Sequence, residues 1–148
     1  GSLIHFLSFT PCFGRAFSFF VSMGQLQEQA RLWRKAFQVK SDNQQHSRQY
    51  NLQIKLIIEE YTEVVDAYDA FKQGDKSTHV ALLKELADLV FVCYQAAENM
   101  GWDLDEAMQR IFDSNMSKLD DTGAPIRNEA GKVLKGPNYK APDLSDLV

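Results

Sequence analysis

The chain has 148 residues, 45% of them hydrophobic, and a formal net charge of −4. One domain of that length buries a core without crosslinks, and the mild negative charge argues against a nucleic-acid-binding domain, which is usually basic. Cys12 and Cys93 form no CxxC or His/Cys cluster, so neither a disulfide framework nor a zinc site is expected, and a reducing cytoplasm is the expected compartment.

Gly1-Ser2 reads as a cloning remnant, and the Phe-rich LIHFLSFTPCFGRAFSFFVS follows it. It has no basic start, and Pro11, Gly14 and Arg15 break its apolar run, which argues against both a signal peptide and a membrane span. Residues 1–22 are therefore expected to be an extension before a natural start at Met23, with phenylalanines packing on the domain or on a second chain. From Met23 to Val39, the residues Leu26, Ala30, Trp33 and Phe37 recur at helical spacing. SDNQQHSRQ then reads as a polar connection or a helix start. A second helix is predicted from about Gln49 to Phe71, burying Leu52, Leu56, Ile57, Val64, Val65 and Tyr68. Gly74 stands where a left-handed cap would close it. Ser77 or Thr78 would cap a third helix, which runs to about Asn99 and ends at Gly101. Asp103 with Glu106 resembles a capping box and opens a fourth helix through Met116.

After Leu119 the chain holds three of its four prolines and three glycines. An irregular arm is expected there, with a short hairpin around Glu129–Gly131. The expected fold is thus all-α: a four-helix-bundle-like domain over residues 23–119, with an arm over 120–148 closing its site.

The chemistry lies in two acidic runs, IIEEYTEVVDAY (Ile57–Tyr68) and KELADLVFVCYQ (Lys84–Gln95). Residues three or four apart are neighbours on a helix, so Glu60 and Glu63 share one side, Glu59 joins Glu63, and Glu85 pairs with Asp88. A single acidic pair on a helix is usually a solvated face. Here the second pair sits in a helix that is apolar nearly all round, with Ala81 and Val92 flanking it and Lys84 expected to point elsewhere. Carboxylates withdrawn from water cost several kcal/mol each, by order of magnitude, unless compensated, and clustering them raises that cost. Four or five hard oxygen ligands suit Mg²⁺ or Mn²⁺. The lack of a histidine in the cluster argues against a di-iron bundle, and His46 and His79 read as surface residues.

EEYTE (Glu59–Glu63) followed by ELAD (Glu85–Asp88) matches EExxE followed by ExxD. In this the chain resembles the MazG-like, all-α nucleoside triphosphate pyrophosphohydrolases, a superfamily that also holds dimeric dUTPases and phosphoribosyl-ATP pyrophosphohydrolases. The likeness spans about Gln25 to Lys118, and SNMSKLDDTGAPIRNEAGKVLKGPNY is similar to the tail of short members. The resemblance implies Mg²⁺-dependent cleavage of a (d)NTP to a monophosphate and pyrophosphate, as house-cleaning of the nucleotide pool. It also implies that Glu60, Glu63, Glu85 and Asp88 hold the metal, and that Glu59 orients or deprotonates the attacking water or supports the ligands from behind.

Asparagine and lysine after the acidic helices hold phosphates in such members, which points to Asn115 and Lys118, with Lys135 and Tyr139 following in the arm. Gly136-Pro137 would let the backbone approach a ligand. For the base, Phe37 is the preferred contact and Trp33 the second, although core packing is the more ordinary role for both. The breadth of apolar helix surface, together with the family habit, suggests a homo-oligomer, a tetramer first and a dimer next. No nucleic-acid or membrane partner is expected. The rival readings are a non-catalytic nucleotide- or metal-binding module, a purely structural bundle, and, within the superfamily, a dUTPase or a phosphoribosyl-ATP pyrophosphohydrolase.

Overall fold

Two long helices carry both acidic runs, and the way each is started and stopped fixes which residues face each other. The computed structural model describes residues 25–72, 74 and 76–148; the expectations for residues 1–22 and for Met23 lie outside the described residues. In chain order the helices are α1 (Gln25–Ala36), α2 (Arg48–Phe71), α3 (Lys76–Met100) and α4 (Leu104–Met116), followed by an arm that ends in a single 3₁₀ turn at Ser145–Leu147. The fold is all-α. Among the described residues, β-type pairing is confined to two isolated bridges in the arm, Leu119 with Pro125 and Arg127 with Val133.

The helix ends show local chemistry at work. Ser47 caps α2, its hydroxyl accepting from the Tyr50 backbone N–H at 3.1 Å, as a short β-region polar residue does at this position. Asp103 caps α4 in the same way, accepting from the Glu106 N–H at 2.9 Å. The Glu106 carboxylate pairs with Arg110 one turn on (2.8 Å). Gly101 ends α3 at φ +76°. The Trp102 N–H donates to the Ala97 carbonyl and the Gly101 N–H to that of Glu98, the paired closure that a left-handed residue permits. Gln38 (φ +54°) ends α1 with the same two bonds, Val39 to Arg34 and Gln38 to Lys35.

Two expected ends differ. Helix α2 stops in right-handed backbone at Lys72, and Gly74 has an ordinary φ. A Cβ at Gly74 would lie 2.2 Å from the Thr78 Cγ2, so glycine serves a close approach there, not a left-handed cap. Ser77 and Thr78 lie inside the first turn of α3, which begins at Lys76.

Helices α2 and α3 pack along their lengths, with α1 laid across the C-terminal half of α3. The buried face of α1 is Gln27, Ala30 and Arg34. It was expected to be Leu26, Ala30, Trp33 and Phe37, but of these only Ala30 is buried, and Phe37 is 66% exposed. A polar network explains the rotation. Arg34 donates to the Gln95 carbonyl (3.3 Å), the Lys40 carbonyl (3.2 Å) and the Asn99 Oδ1 (3.0 Å). Asn99, 1% exposed, also accepts from the Asp42 N–H (3.2 Å) and donates to the Asp42 carbonyl (2.8 Å). Gln27 donates to Glu98 (2.6 Å) and accepts from the Leu104 N–H (3.2 Å). Buried polar groups are held by bonds of this kind, the Arg34 Nε alone of its guanidinium nitrogens lacking a partner among the described residues, and burying them turns the aromatic face of α1 outward.

On α2, only Gln53 is fully buried. Leu56, Ile57 and Val64 are half-buried, while Leu52, Val65 and Tyr68, also expected inside, are exposed in the single chain. The buried residues of α3 lie in its C-terminal half, among them Val92, Tyr94 and Ala97. Val80, Leu83 and Leu86 of its first half, and Val90 just beyond, stand in solvent.

Candidate metal centre

The α2–α3 pair is antiparallel: Gln53 and Leu56 meet Val92 and Gln95 around one cavity, and Glu60 meets Glu85 and Asp88 further along. Each of those three half-buried residues offers a carboxylate oxygen, and the oxygens lie within 4.8 Å of one another. Burial raises the pKa of Glu60 above the ordinary carboxylate value, and Glu63, Asp88 and Glu85 push it further. Glu63 is raised as well, first by desolvation and then by the charge of Glu85. Glu59 is exposed and adds its charge to the field at Glu63. Converging oxygen donors whose charges oppose one another fit a hard divalent cation.

One expectation at this site is overturned. Lys84 does not point elsewhere. Its Nζ donates to the Asp88 Oδ2 at 2.7 Å and to the Glu85 Oε2 at 3.0 Å, because Lys84 lies four residues before Asp88 and one long flexible stem spans a helical turn. Both carboxylates hold the Lys84 ammonium well above its ordinary pKa, the hydrogen bond to Asp88 being the largest cause. Part of the negative charge in the cluster is thereby offset from within α3.

The other candidates form two groups. Asn115 and Lys118 pair at the end of α4, and Lys135 and Tyr139 pair in the arm that folds back on that end. The Lys118 Nζ donates to the Asn115 Oδ1 (2.6 Å), and the Lys135 Nζ sits 4.2 Å from the Tyr139 ring centroid. The Gly136 N–H donates to the Lys118 carbonyl (3.1 Å), and a Cβ at Gly136 would lie 2.5 Å from that oxygen. The close backbone approach expected of Gly136 is thus made, but to α4. Further ties run from the Ser114 Oγ to the Lys140 carbonyl (2.8 Å) and from the Lys140 N–H to the Ser117 Oγ (2.8 Å). The small hairpin in the arm turns at Glu129–Gly131 as expected, with the Asn128 N–H donating to the Lys132 carbonyl and that of Leu134 to Ile126.

The second group is aromatic. Trp33 lines a cavity of about 260 Å³ together with Leu52, Gln53, Leu56, Phe91 and Gln95. Phe37 stacks on the outer side of Trp33, with centroids 4.6 Å apart, and Phe91 meets Trp33 edge-on at 6.1 Å. His46 and His79 are both exposed. Sequence reasoning passed over Gln53, Gln95 and Asn99. The signal was present, since Gln95 and Asn99 stand one turn apart in a helix otherwise apolar on that side.

A helical domain in which two consecutive helices bring three carboxylates together, with a lysine-bearing arm on the same chain, has the parts of a metal-dependent enzyme of phosphoric anhydrides. Residues 24–115 match the family described as phosphoribosyl-ATP pyrophosphohydrolase, and the chain belongs to that family, in keeping with its MazG-like resemblance. It is accordingly a pyrophosphohydrolase by family. A comparison with curated proteins gave no match. Among the described residues, no helix is long and apolar enough to cross a membrane.

Proposed function

We propose that this chain is a Mg²⁺-dependent nucleoside triphosphate pyrophosphohydrolase that converts a (d)NTP to the (d)NMP and pyrophosphate, clearing the cytoplasmic nucleotide pool. The observation that carries this reading is the convergence of Glu60, Glu85 and Asp88, with Glu63 beside them, inside the matched family region. These four carboxylates would hold the cation, Mg²⁺ or Mn²⁺. When bound, it supplies neutralisation of phosphate charge and a lowered pKa for the nucleophilic water.

The chain's own residues do the rest. Lys118 and Lys135 meet the β- and γ-phosphates, and Asn115 and Tyr139 fix their orientation, as positioning and electrostatics require. Glu59 accepts the proton of the attacking water. The water oxygen bonds to the α-phosphorus, the bond from that phosphorus to the bridging oxygen breaks, and pyrophosphate leaves with the electron pair. The cavity beside Trp33 receives the base, with Phe37 backing the indole.

A homo-oligomer completes this reading. Ile54, Ile58, Tyr61, Val65 and Tyr68 form an exposed stripe along α2 at alternating spacings of four and three, and Val80, Leu83 and Val90 continue exposed apolar surface along α3. Such a seam suits a second helical pair, and a tetramer built as a dimer of dimers would cover it. Sedimentation of the chain as a monomer would remove this part of the proposal.

The deciding experiment measures pyrophosphate release from a panel of canonical and modified triphosphates and from phosphoribosyl-ATP. Turnover of at least one triphosphate, lost in Glu63→Gln and Asp88→Asn, is the expected result. Turnover confined to phosphoribosyl-ATP, the substrate named by the matched family, would favour that second reading. Binding without turnover would mark a non-catalytic module.

A further inference from the structure

Lys84 holds the carboxylates that the cation would need. Its Nζ lies 2.7 Å from the Asp88 Oδ2, 3.0 Å from the Glu85 Oε2 and 3.2 Å from the Glu85 Oε1, and Glu85 and Asp88 are two of the three residues whose oxygens converge. Its charge also opposes the upward push on Glu60 and Glu63, so all four carboxylates of the centre feel this one ammonium. Lys84 bonds both oxygens of Glu85. A Mg²⁺ that draws either of them to about 2.0–2.1 Å takes an oxygen Lys84 was using, and it repels the ammonium as a like charge. Ligation by Glu85 therefore loosens Lys84.

The released side chain has room to move. It is 63% exposed, whereas that of Glu85 is 16% exposed, so the swing is outward, toward the side from which a substrate arrives. There a positive charge is needed. Four carboxylates around one divalent cation keep a net negative charge, which opposes the approach of a polyphosphate. The lysines assigned to the β- and γ-phosphates are carried on other elements: Lys118 is bonded to Asn115 and Lys135 lies over Tyr139, at the end of a helix that packs on α1. Among the described residues, Lys84 is the basic side chain in contact with the carboxylates of the centre. A flexible four-carbon stem rooted one residue before Glu85 stays within reach of a phosphate held at the same ion, and lysine meets phosphate as a point charge.

We propose that Lys84 is an exchanging counter-charge of the centre: it neutralises Glu85 and Asp88 in the metal-free protein, gives up Glu85 to Mg²⁺, and then binds a non-bridging oxygen of the phosphate held there. This rests on the phosphoric-anhydride reading above, and the test separates the two. Calorimetry on the full chain measures Mg²⁺ binding alone and the binding of inorganic pyrophosphate at saturating Mg²⁺. Lys84→Met is expected to bind Mg²⁺ two- to fivefold more tightly and pyrophosphate about 5- to 20-fold more weakly, the order set by one charge-assisted bond discounted for exposure. A residue that only shapes the helix would move both constants the same way or neither. Circular dichroism checks that the helices are retained, with Lys84→Gln as the second variant should the first fail to fold. Mg²⁺ binding unchanged or weaker in the variant overturns the proposal. So does pyrophosphate binding that is absent from the wild type, or unchanged or tighter in the variant. Wild type that binds Mg²⁺ and pyrophosphate yet turns over neither a triphosphate nor phosphoribosyl-ATP fails the activity reading and leaves the exchange standing; wild type that binds no Mg²⁺ overturns both.

Discussion

Replacing Asn99 by alanine tests the polar seam that holds α1 against α3. The substitution removes three hydrogen bonds at a position 1% exposed: the donation from Arg34 (3.0 Å), the donation from the Asp42 N–H (3.2 Å), and the donation to the Asp42 carbonyl (2.8 Å). Two of these join neutral groups, worth about 1 kcal/mol each, and the third joins a buried guanidinium, worth about 1.5–3 kcal/mol. Arg34 keeps its bonds to the carbonyls of Gln95 and Lys40, which places the total loss at about 3–4 kcal/mol. That is a large share of the roughly 5–15 kcal/mol that holds a domain folded. Far-UV circular dichroism under urea should show the midpoint lowered by roughly 2 M, given slopes of about 1–3 kcal/mol/M, and thermal melting lowered by on the order of 10 °C. A loss below about 1 kcal/mol, the value of an ordinary surface change, would mean that the Arg34–Asn99–Asp42 network does not hold α1, and the rotated buried face of that helix would lose its explanation.

Three further outcomes bear on the site and the arm. Because the carboxyl pKa values of Glu60 and Glu63 are raised in the fold, the metal-free protein gains from these groups below their ordinary value and loses that gain as pH rises through the raised values. A fixed Mg²⁺ concentration, about 100 times the Kd at pH 8, should therefore raise the melting temperature by several degrees at pH 8 and by less at pH 5; equal shifts at both would contradict the placement. Lys84→Met removes the cation that competes for Glu85 and Asp88, so Mg²⁺ should bind roughly two- to fivefold more tightly, as exposed pairs of this kind allow. Weaker binding would show instead that Lys84 assists the ligand. Gly136→Ala forces the Lys118 carbonyl away from a new Cβ, so hydrogen exchange should quicken at Gly136 and Lys140 while α2 and α3 are unchanged. Protection retained at Gly136 would refute the close approach.

Much of the architecture was legible before any coordinates. The helices follow the apolar periodicity, and Asp103, Gly101 and the hairpin at Glu129–Gly131 act through bonds to near neighbours in sequence. The acidic pairs were legible because helical spacing alone puts Glu60 with Glu63 and Glu85 with Asp88. What escaped depends on partners distant in sequence. The buried face of α1 is decided by Asn99 and the Gln95 carbonyl, more than sixty residues on, and apolar periodicity favoured Trp33 and Phe37 over Arg34. Lys84 was misjudged for another reason: it was weighed against Glu85, the residue beside it, while Asp88 lies one helical turn on along the same side. Gly74 stood where a cap is wanted, yet what demands glycine there is contact with Thr78.

The ties between the arm and α4 make a closed loop of the chain between them. Gly136 is bonded to Lys118, and Lys140 to Ser114 and Ser117, while among the described residues the turn at Glu129–Gly131 is held by bonds within the hairpin. Lengthening a loop that is already closed costs little extra entropy, and exposed polar tips are where insertions succeed. A dye, an affinity peptide or a whole second domain could therefore be grafted between Glu129 and Ala130 with the bonds of Gly136 and Lys140 to the end of α4 still in place.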